Sequence, residues 1–256
     1  MNETEYPVLS NLGLPLLQLA RMAQNGVDVN SLFKFSIIQS EEEQEQVYQF
    51  MQHHFRVQEP ITSAINCTEE DTSIFYRDIC SNGFKKPYSI VAKSKEGELA
   101  GICLNAVYDQ LPSSNCNPNE ENRQEYSREI SEGPYTSQNA NRLVALIELT
   151  EKGIDKLIPR SVKKVFKIDI ISVHPSFTGH GLGSEMVKRS VQMARELDCE
   201  YVYTCASAKA SNRIFTRFGF VPVKTIPFDK FLENGQPVYK DLHDGGTQCT
   251  LMTLKL

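Results

Sequence analysis

The spacing of apolar residues changes several times along the chain, and each change marks an element. Phe33, Phe35 and Ile37 alternate with polar residues, which predicts a short strand. Ser40 precedes Glu43 by three positions, the pattern of a capping box, and Val47, Phe50, Met51 and His54 follow at helical spacing, so a helix of about four turns is expected. Arg56 to Ile61 comes next, where Pro60 favours an extended conformation at Glu59. Tyr88 to Ala92 and Leu99 to Val107 read as two strands joined by a turn at Lys95-Glu96-Gly97-Glu98. Residues 109–136 are polar and rich in Asn, Ser, Glu and Pro, which predicts a long loop. From Ser137 to Leu157 a helical pattern returns through Leu143, Ile147, Ile154 and Leu157.

Val165 to Val173 is a strongly β-branched strand, and Gly181 to Leu197 is helical, with Leu182, Met186, Val191, Ala194 and Leu197 on one face. Tyr201 to Cys205, Phe220 to Ile226 and Thr247 to Leu254 are further strands, with a helix from Ser207 to Phe218. No internal repeat or second composition regime interrupts this order. One mixed α/β domain over residues 33–256 is expected. Residues 1–32 form an N-terminal extension, whose Leu14, Leu16, Leu17 and Leu19 are broken up by Gly13 and Pro15.

Composition narrows the function classes. The 256 residues are 40% hydrophobic and 23% charged, an ordinary globular mixture that can bury a sizeable core. A net charge of −5 lacks the basic footprint of a nucleic-acid binder, so no nucleic-acid partner is expected. No apolar run approaches the roughly 18 residues of a membrane span, and the acidic start Met1-Asn2-Glu3-Thr4-Glu5 lacks the basic lead-in of a secretory signal. Seven irregularly spaced cysteines suit a reducing compartment, so a cytoplasmic protein is expected.

The segment from Ile168 to Ser184 carries the most chemistry. A buried strand runs into a turn with Gly179, Gly181 and Gly183 at alternate positions, and the turn opens an amphipathic helix. Such a turn lets the backbone approach a ligand, and free N–H groups at a helix start favour an anion. The spacing matches neither a P-loop nor a dinucleotide-binding fingerprint.

It resembles the acyl-CoA signature of the GNAT acetyltransferase superfamily, Arg/Gln-x-x-Gly-x-Gly/Ala after a strand ending in Val-x-Pro. Gly181 and Gly183 fall on its two small positions, whereas Thr178 stands where the family usually has Arg or Gln. Ser94 to Asn105 resembles the hairpin of insect-type arylalkylamine (dopamine) N-acetyltransferases, Ile170 to Val173 their strand end, and Phe218-Gly219-Phe220 their helix-to-strand turn. Gln58-Glu59-Pro60-Ile61 is similar to their Asp-Glu-Pro-Leu segment, with Gln58 replacing the acidic neighbour.

The likeness covers roughly residues 33–256. It implies a GNAT fold, α/β with a mixed, mostly antiparallel sheet flanked by helices and splayed where Val165–Val173 meets Tyr201–Cys205. It also implies acetyl-CoA as co-substrate, held by Ile171, Ser172, Val173, Thr178, Gly179, His180, Gly181, Leu182, Gly183 and Ser184, and a small amine acceptor. Glu59 falls on the family's general base, Ser207 and Ser211 on its two catalytic serines, and His243 near its acceptor site.

The chemistry gives these positions a reason. An alkylammonium has a pKa near that of Lys, about 10.4, so a base must take its proton at neutral pH. A free Glu is too acidic for this work unless burial raises it. The thioester carbonyl is most simply polarised by a backbone N–H at a splayed or bulged strand end near Ile171 to Val173. The departing thiolate, with a pKa near 8.5, needs only a hydroxyl donor. Many family members use a tyrosine four residues before the final Gly-Phe. Phe215 stands there, which gives Ser207 and Ser211 more weight, although serines at a helix start also serve as caps.

His53, His54, His174 and His180 match no common zinc pattern, so no metal is expected, and Cys205 reads as a buried strand residue. The leading expectation is direct acetyl transfer to the primary amine of a small arylalkylamine-like substrate. Two others stay open: a polyamine, amino acid or protein amine as acceptor, and a catalytically idle CoA-binding module.

Overall fold

The computed structural model describes residues 28–109, 111 and 124–256. In chain order it contains α1 (Val29–Leu32), β1 (Phe33–Ile37), α2 (Glu41–Phe50), a π-helical turn (Met51–Phe55) continued by Arg56–Gln58, α3 (Pro60–Ala64) and α4 (Glu69–Phe84). There follow β2 (Ile90–Ser94), β3 (Leu99–Tyr108), α5 (Ser127–Ser131), α6 (Gln138–Glu151), α7 (Ile154–Leu157), β4 (Val165–Val173) and a 3-10 turn (Pro175–Phe177). The remainder is α8 (Leu182–Glu196), β5 (Tyr201–Ala206), α9 (Lys209–Arg217), β6 (Val221–Pro227), a small hairpin of β7 (Leu232–Glu233) and β8 (Gln236–Pro237), and β9 (Gln248–Lys255).

Seven strands form one sheet in the order β1-β2-β3-β4-β5-β9-β6, antiparallel throughout except for the β4–β5 pair. One face packs against α2, α4 and α6, burying Val47, Met51, Tyr76, Leu143 and Leu146. The other packs against α8 and α9, burying Leu182, Met186, Val187 and Phe215.

Two irregularities shape the centre of the sheet. The parallel pairing of β4 with β5 stops at Ile168↔Thr204, yet β4 runs on to Val173 and β5 to Ala206. The strands therefore part over their last residues, at the splay expected from the resemblance. Just at that point the β3–β4 register shifts: Asn105 pairs with Ile168 and Leu104 with Ile170, leaving Asp169 as the extra residue of a bulge.

Several elements differ from the hydropathy reading. The stretch 109–136, read as loop, contains the short helix α5, while residues 112–123 lie outside the described residues. The helix expected over 137–157 breaks after Glu151, and its tail restarts as α7 behind Gly153, whose φ is 87°. The helix expected from Ser207 begins at Lys209, so Ser207 lies before it. Residues 1–27 of the expected extension lie outside the described residues; within its last residues, Leu32 is buried and packs in the α8-side core. Helix α4 was not marked by hydropathy at all. Its buried stripe includes Thr72 and Gly83, and Ile74 is exposed, so apolar residues do not trace its face. A capping box between Thr68 and Asp71 starts it.

Candidate active site

Glu59 is placed by backbone rules. The chain runs helically from Glu41 through a π-helical turn to Gln58, and Pro60 then forces Glu59 out of the helical region, to ψ 121°. Pro60 is also a favoured first residue for the next helix, so Glu59 becomes the N-cap of α3. Its Oε2 accepts from the Thr62 N–H at 2.9 Å and from Thr62 Oγ1 at 3.0 Å. Thr62 Oγ1 in turn lies 3.5 Å from the Tyr76 hydroxyl. The other carboxylate oxygen, Oε1, accepts from Ser207 Oγ at 2.7 Å, a contact joining positions 148 residues apart.

Glu59 is buried, with 7% of its surface exposed. Burial pushes its pKa above the ordinary Glu value, while the bonds from Ser207 and Thr62 stabilise the charged form and limit the rise. This environment moves a carboxylate toward the range of a working base. A glutamate capping a helix with Thr three residues later is a local signal that would have pointed to Thr62, which the sequence reading passed over.

The two serines differ. Ser207 follows the end of β5 at the splay and reaches Glu59. Ser211 lies within the first turn of α9, and its Oγ donates to the Ala208 carbonyl at 2.9 Å. They do not share a helical face, because the helix starts after Ser207. His243 Nε2 donates to the carbonyl of Gln58 at 3.1 Å, which brings the loop before β9 beside the residue preceding Glu59. Asp244 on the same loop accepts from the Lys209 N–H at 2.7 Å, tying it to the start of α9. Phe215 is buried in the α8-side core against Phe220. Cys205 is half-buried, with its Sγ 3.5 Å from that of Cys249.

After β4 the chain turns through Thr178 to Gly181 into α8. Gly181, at φ 78°, is the N-cap, and no side chain caps the helix. The first helical bond runs from Glu185 to Gly181, so the N–H groups of Leu182, Gly183 and Ser184 have no intrahelical acceptor. A Cβ added at Gly179 or Gly181 would meet nothing within 4 Å, which leaves open space over the turn. Gly183 has a different role: a Cβ there would lie 3.2 Å from Ile214 Cδ1, so its smallness lets α8 sit against α9 and β4. Thr178 Oγ1 donates to the Pro175 carbonyl at 3.0 Å and is thus engaged within the turn. His180 Nδ1 meets the Phe177 carbonyl at 3.2 Å. Ile171, Ser172 and Val173 pair with β3 through Cys103, Ile102 and Gly101, and their edge toward β5 is unpaired.

Uncapped amides, open space above two glycines and a splayed strand pair fit the pyrophosphate and arm of a CoA thioester. Among the described residues no group of three or more His, Cys, Asp or Glu could hold a metal ion. Nor is any helix among them long and apolar enough to cross a membrane.

Residues 48–220 match the model of the acetyltransferase (GNAT) family. Among curated proteins no sequence matches the chain. Solved structures do. Arylalkylamine N-acetyltransferase 2 from Aedes aegypti is similar with TM-score 0.70 and 22% identity, over 87% of this chain and 98% of that one. The polyamine N-acetyltransferase of Drosophila melanogaster, described as forming N-acetylagmatine, gives TM-score 0.66 and 18% identity, over 88% of this chain and 100% of that one. A mosquito arylalkylamine N-acetyltransferase like 5b gives 0.67 and 15%, over 88% and 100%. These likenesses carry the fold. With the family match, the splayed seven-stranded sheet and the uncapped glycine turn, they show that the chain belongs to the GNAT family of acetyltransferases, whose members use acetyl-CoA as co-substrate.

Proposed function

We propose that the protein transfers an acetyl group from acetyl-CoA to the primary amine of a small arylalkylamine-like substrate, by direct attack with Glu59 as general base. The observation that carries this reading is the 2.7 Å hydrogen bond from Ser207 Oγ to the buried Glu59 carboxylate, beside the mouth of the splay. Acetyl-CoA supplies the activated thioester. Glu59, raised above its ordinary pKa by burial, takes the ammonium proton directly or through ordered water. Ser207 connects that carboxylate to the departing sulfur, so the Glu59–Ser207 pair can return a proton to the thiolate. Ser211, whose hydroxyl is engaged with Ala208, serves mainly to shape the start of α9. Backbone N–H groups on the free edge of β4 polarise the thioester carbonyl. The amides of Leu182 to Ser184 hold the pyrophosphate, and His243 lines the acceptor side next to Gln58.

A second reading, a polyamine acceptor, is favoured by one feature. A groove of about 990 Å³ beside the β4–α8 turn, whose lining does not include Glu59 or His243, carries Glu42, Glu45, Glu96 and Glu98 around Phe50 and Phe177. Such a surface attracts a polycation. Mass-spectrometric detection of acetylated product separates the readings, with tyramine and tryptamine offered against agmatine, spermidine, free amino acids and a peptide amine. Acetylated arylalkylamine supports the first. Product from agmatine or spermidine alone supports the second, and acetyl-CoA binding with no product from any amine supports an idle module.

A further inference from the structure

The β4 bulge is braced on both faces of the sheet by polar groups that the acetyl-transfer chemistry leaves unused. On the α6 face, Lys167 Nζ lies 2.7 Å from Asp169 Oδ1 and 2.7 Å from Glu151 Oε1, all three side chains being largely buried. Burial disfavours the ammonium, yet Asp169 and Glu151 outweigh it and hold its pKa well above the ordinary Lys value. On the α8 face, Asn105, across the register shift, donates through Nδ2 to Ser190 Oγ at 3.0 Å and to the Tyr88 carbonyl at 2.8 Å.

The bulge has a visible consequence. Phe166 and Ile168 pack on the α8 side, and strict alternation would send Ile170 there too. Instead Ile170 packs on the opposite face, while Ile171 and Val173 join the α8 side. Those two side chains lie within 4 Å of where a Cβ on Gly183 would sit, so the turn that opens α8 rests on them. Asp169, the extra residue, has no ladder partner on β3, and it stands one residue past the last β4–β5 pair.

We propose that Asp169, clamped by Lys167 and Glu151, is a positioning residue for acetyl transfer: it holds the bulge that aims the free edge of β4 at the thioester carbonyl. This rests on the reading that acetyl-CoA occupies the splay. The clamp touches no reacting atom, and α8 is held by β2, β3, β5 and α9 as well as by β4, so its loss misplaces the carbonyl-polarising N–H groups while the amides of Leu182 to Ser184 stay in place.

The test compares wild type with Asp169→Asn by three readouts: the melting shift caused by CoA, the carbonyl stretch of bound acetyl-CoA carrying a ¹³C thioester carbonyl, and the single-turnover rate with tyramine and with agmatine. In wild type the carbonyl band is displaced from that of free acetyl-CoA. In Asp169→Asn the CoA melting shift is retained, the band returns toward the free position, and single turnover falls by roughly 10- to 100-fold. A folded Asn variant with the wild-type band and rate overturns the clamp alone. Wild-type protein that gives no CoA melting shift removes the binding reading and the clamp together. Should Asp169→Asn fail to fold, the triple variant Glu151→Gln, Lys167→Met, Asp169→Asn removes the clamp without stranding a buried charge. It is expected to show the same loss, and a wild-type band and rate in it would equally overturn the proposal.

Discussion

After β5 the chain meets a finished, buried arrangement, whereas after β4 it meets an open one. Both oxygens of Glu59 are occupied, by Ser207 on one side and by two donors of Thr62 on the other, and the carboxylate is buried. Across the splay, the N–H groups of Leu182 to Ser184 lack intrahelical acceptors, no side chain caps α8, and open space lies over Gly179 and Gly181. The difference matches the roles proposed for the two regions. A base must be held in one place with its pKa raised, which takes burial and a few directed bonds. An anion site must leave its donors unsatisfied until the ligand arrives. The first region is therefore sensitive to loss of a single group, and the second to addition of one.

The largest effect should come from deleting the charge in the finished region. Glu59→Gln keeps the shape but cannot take a proton, so the single-turnover rate should drop roughly 10²- to 10⁴-fold, with the CoA melting shift close to wild type. In the open region the matching perturbation is Gly181→Val. At φ 78° any side chain is strained, by about 1–2 kcal/mol, and this one would also enter the space over the turn. Calorimetry should show CoA affinity falling by at least about tenfold, since the ligand can no longer approach the amides. An equally large loss of CoA binding in Glu59→Gln would erase the distinction between the two regions.

Smaller changes sharpen it. Ser207→Ala removes the donor to Oε1 and should cost about 3- to 30-fold in single turnover. Ser211→Ala should cost less than about threefold, because its hydroxyl is already engaged with the Ala208 carbonyl. Thr62→Val removes a hydroxyl that favours the ionised carboxylate. The acidic limb of the pH–rate profile should therefore move to higher pH, and Thr62→Ser should leave it in place.

Stability gives a further check of sign. Burial raises the folded-state pKa of Glu59 above the unfolded one, so its contribution to stability is full below the unfolded pKa and is lost as pH rises through the folded value. Glu59→Gln escapes that loss. Its melting temperature should gain on wild type as pH climbs from about 4.5 toward neutrality.

Much of this layout is legible in the sequence. Val165 to Val173 was readable from its run of β-branched residues, and α8 from an apolar stripe that begins at a glycine turn. Glu59 stood out through its Pro60 neighbour and the family resemblance. What escaped was what depends on register or on partners far away in sequence. A one-residue bulge at Asp169 leaves no trace in the pattern, because Ile168, Ile170, Ile171 and Val173 are apolar whichever face they take. Lys167 and Asp169 read as interruptions of a strand until Glu151 is brought beside them. Ser207 and Ser211 have different hydrogen-bond partners because α9 begins after Ser207, a boundary that propensity does not mark. The helix Glu69–Phe84 hid behind a stripe that mixes Thr72 and Gly83 with Phe75, Tyr76 and Cys80.

The central claim is that Glu59 works as a buried base rather than as a structural cap for α3. The most direct measurement is the pH dependence of the single-turnover acetylation rate, wild type against Glu59→Gln, with the accepted amine and acetyl-CoA both saturating. The account predicts a wild-type acidic limb centred above the ordinary Glu value of 4.5, where burial has pushed the carboxylate, and no such limb in the much slower Gln variant. A Gln variant that keeps the wild-type rate and limb would contradict it.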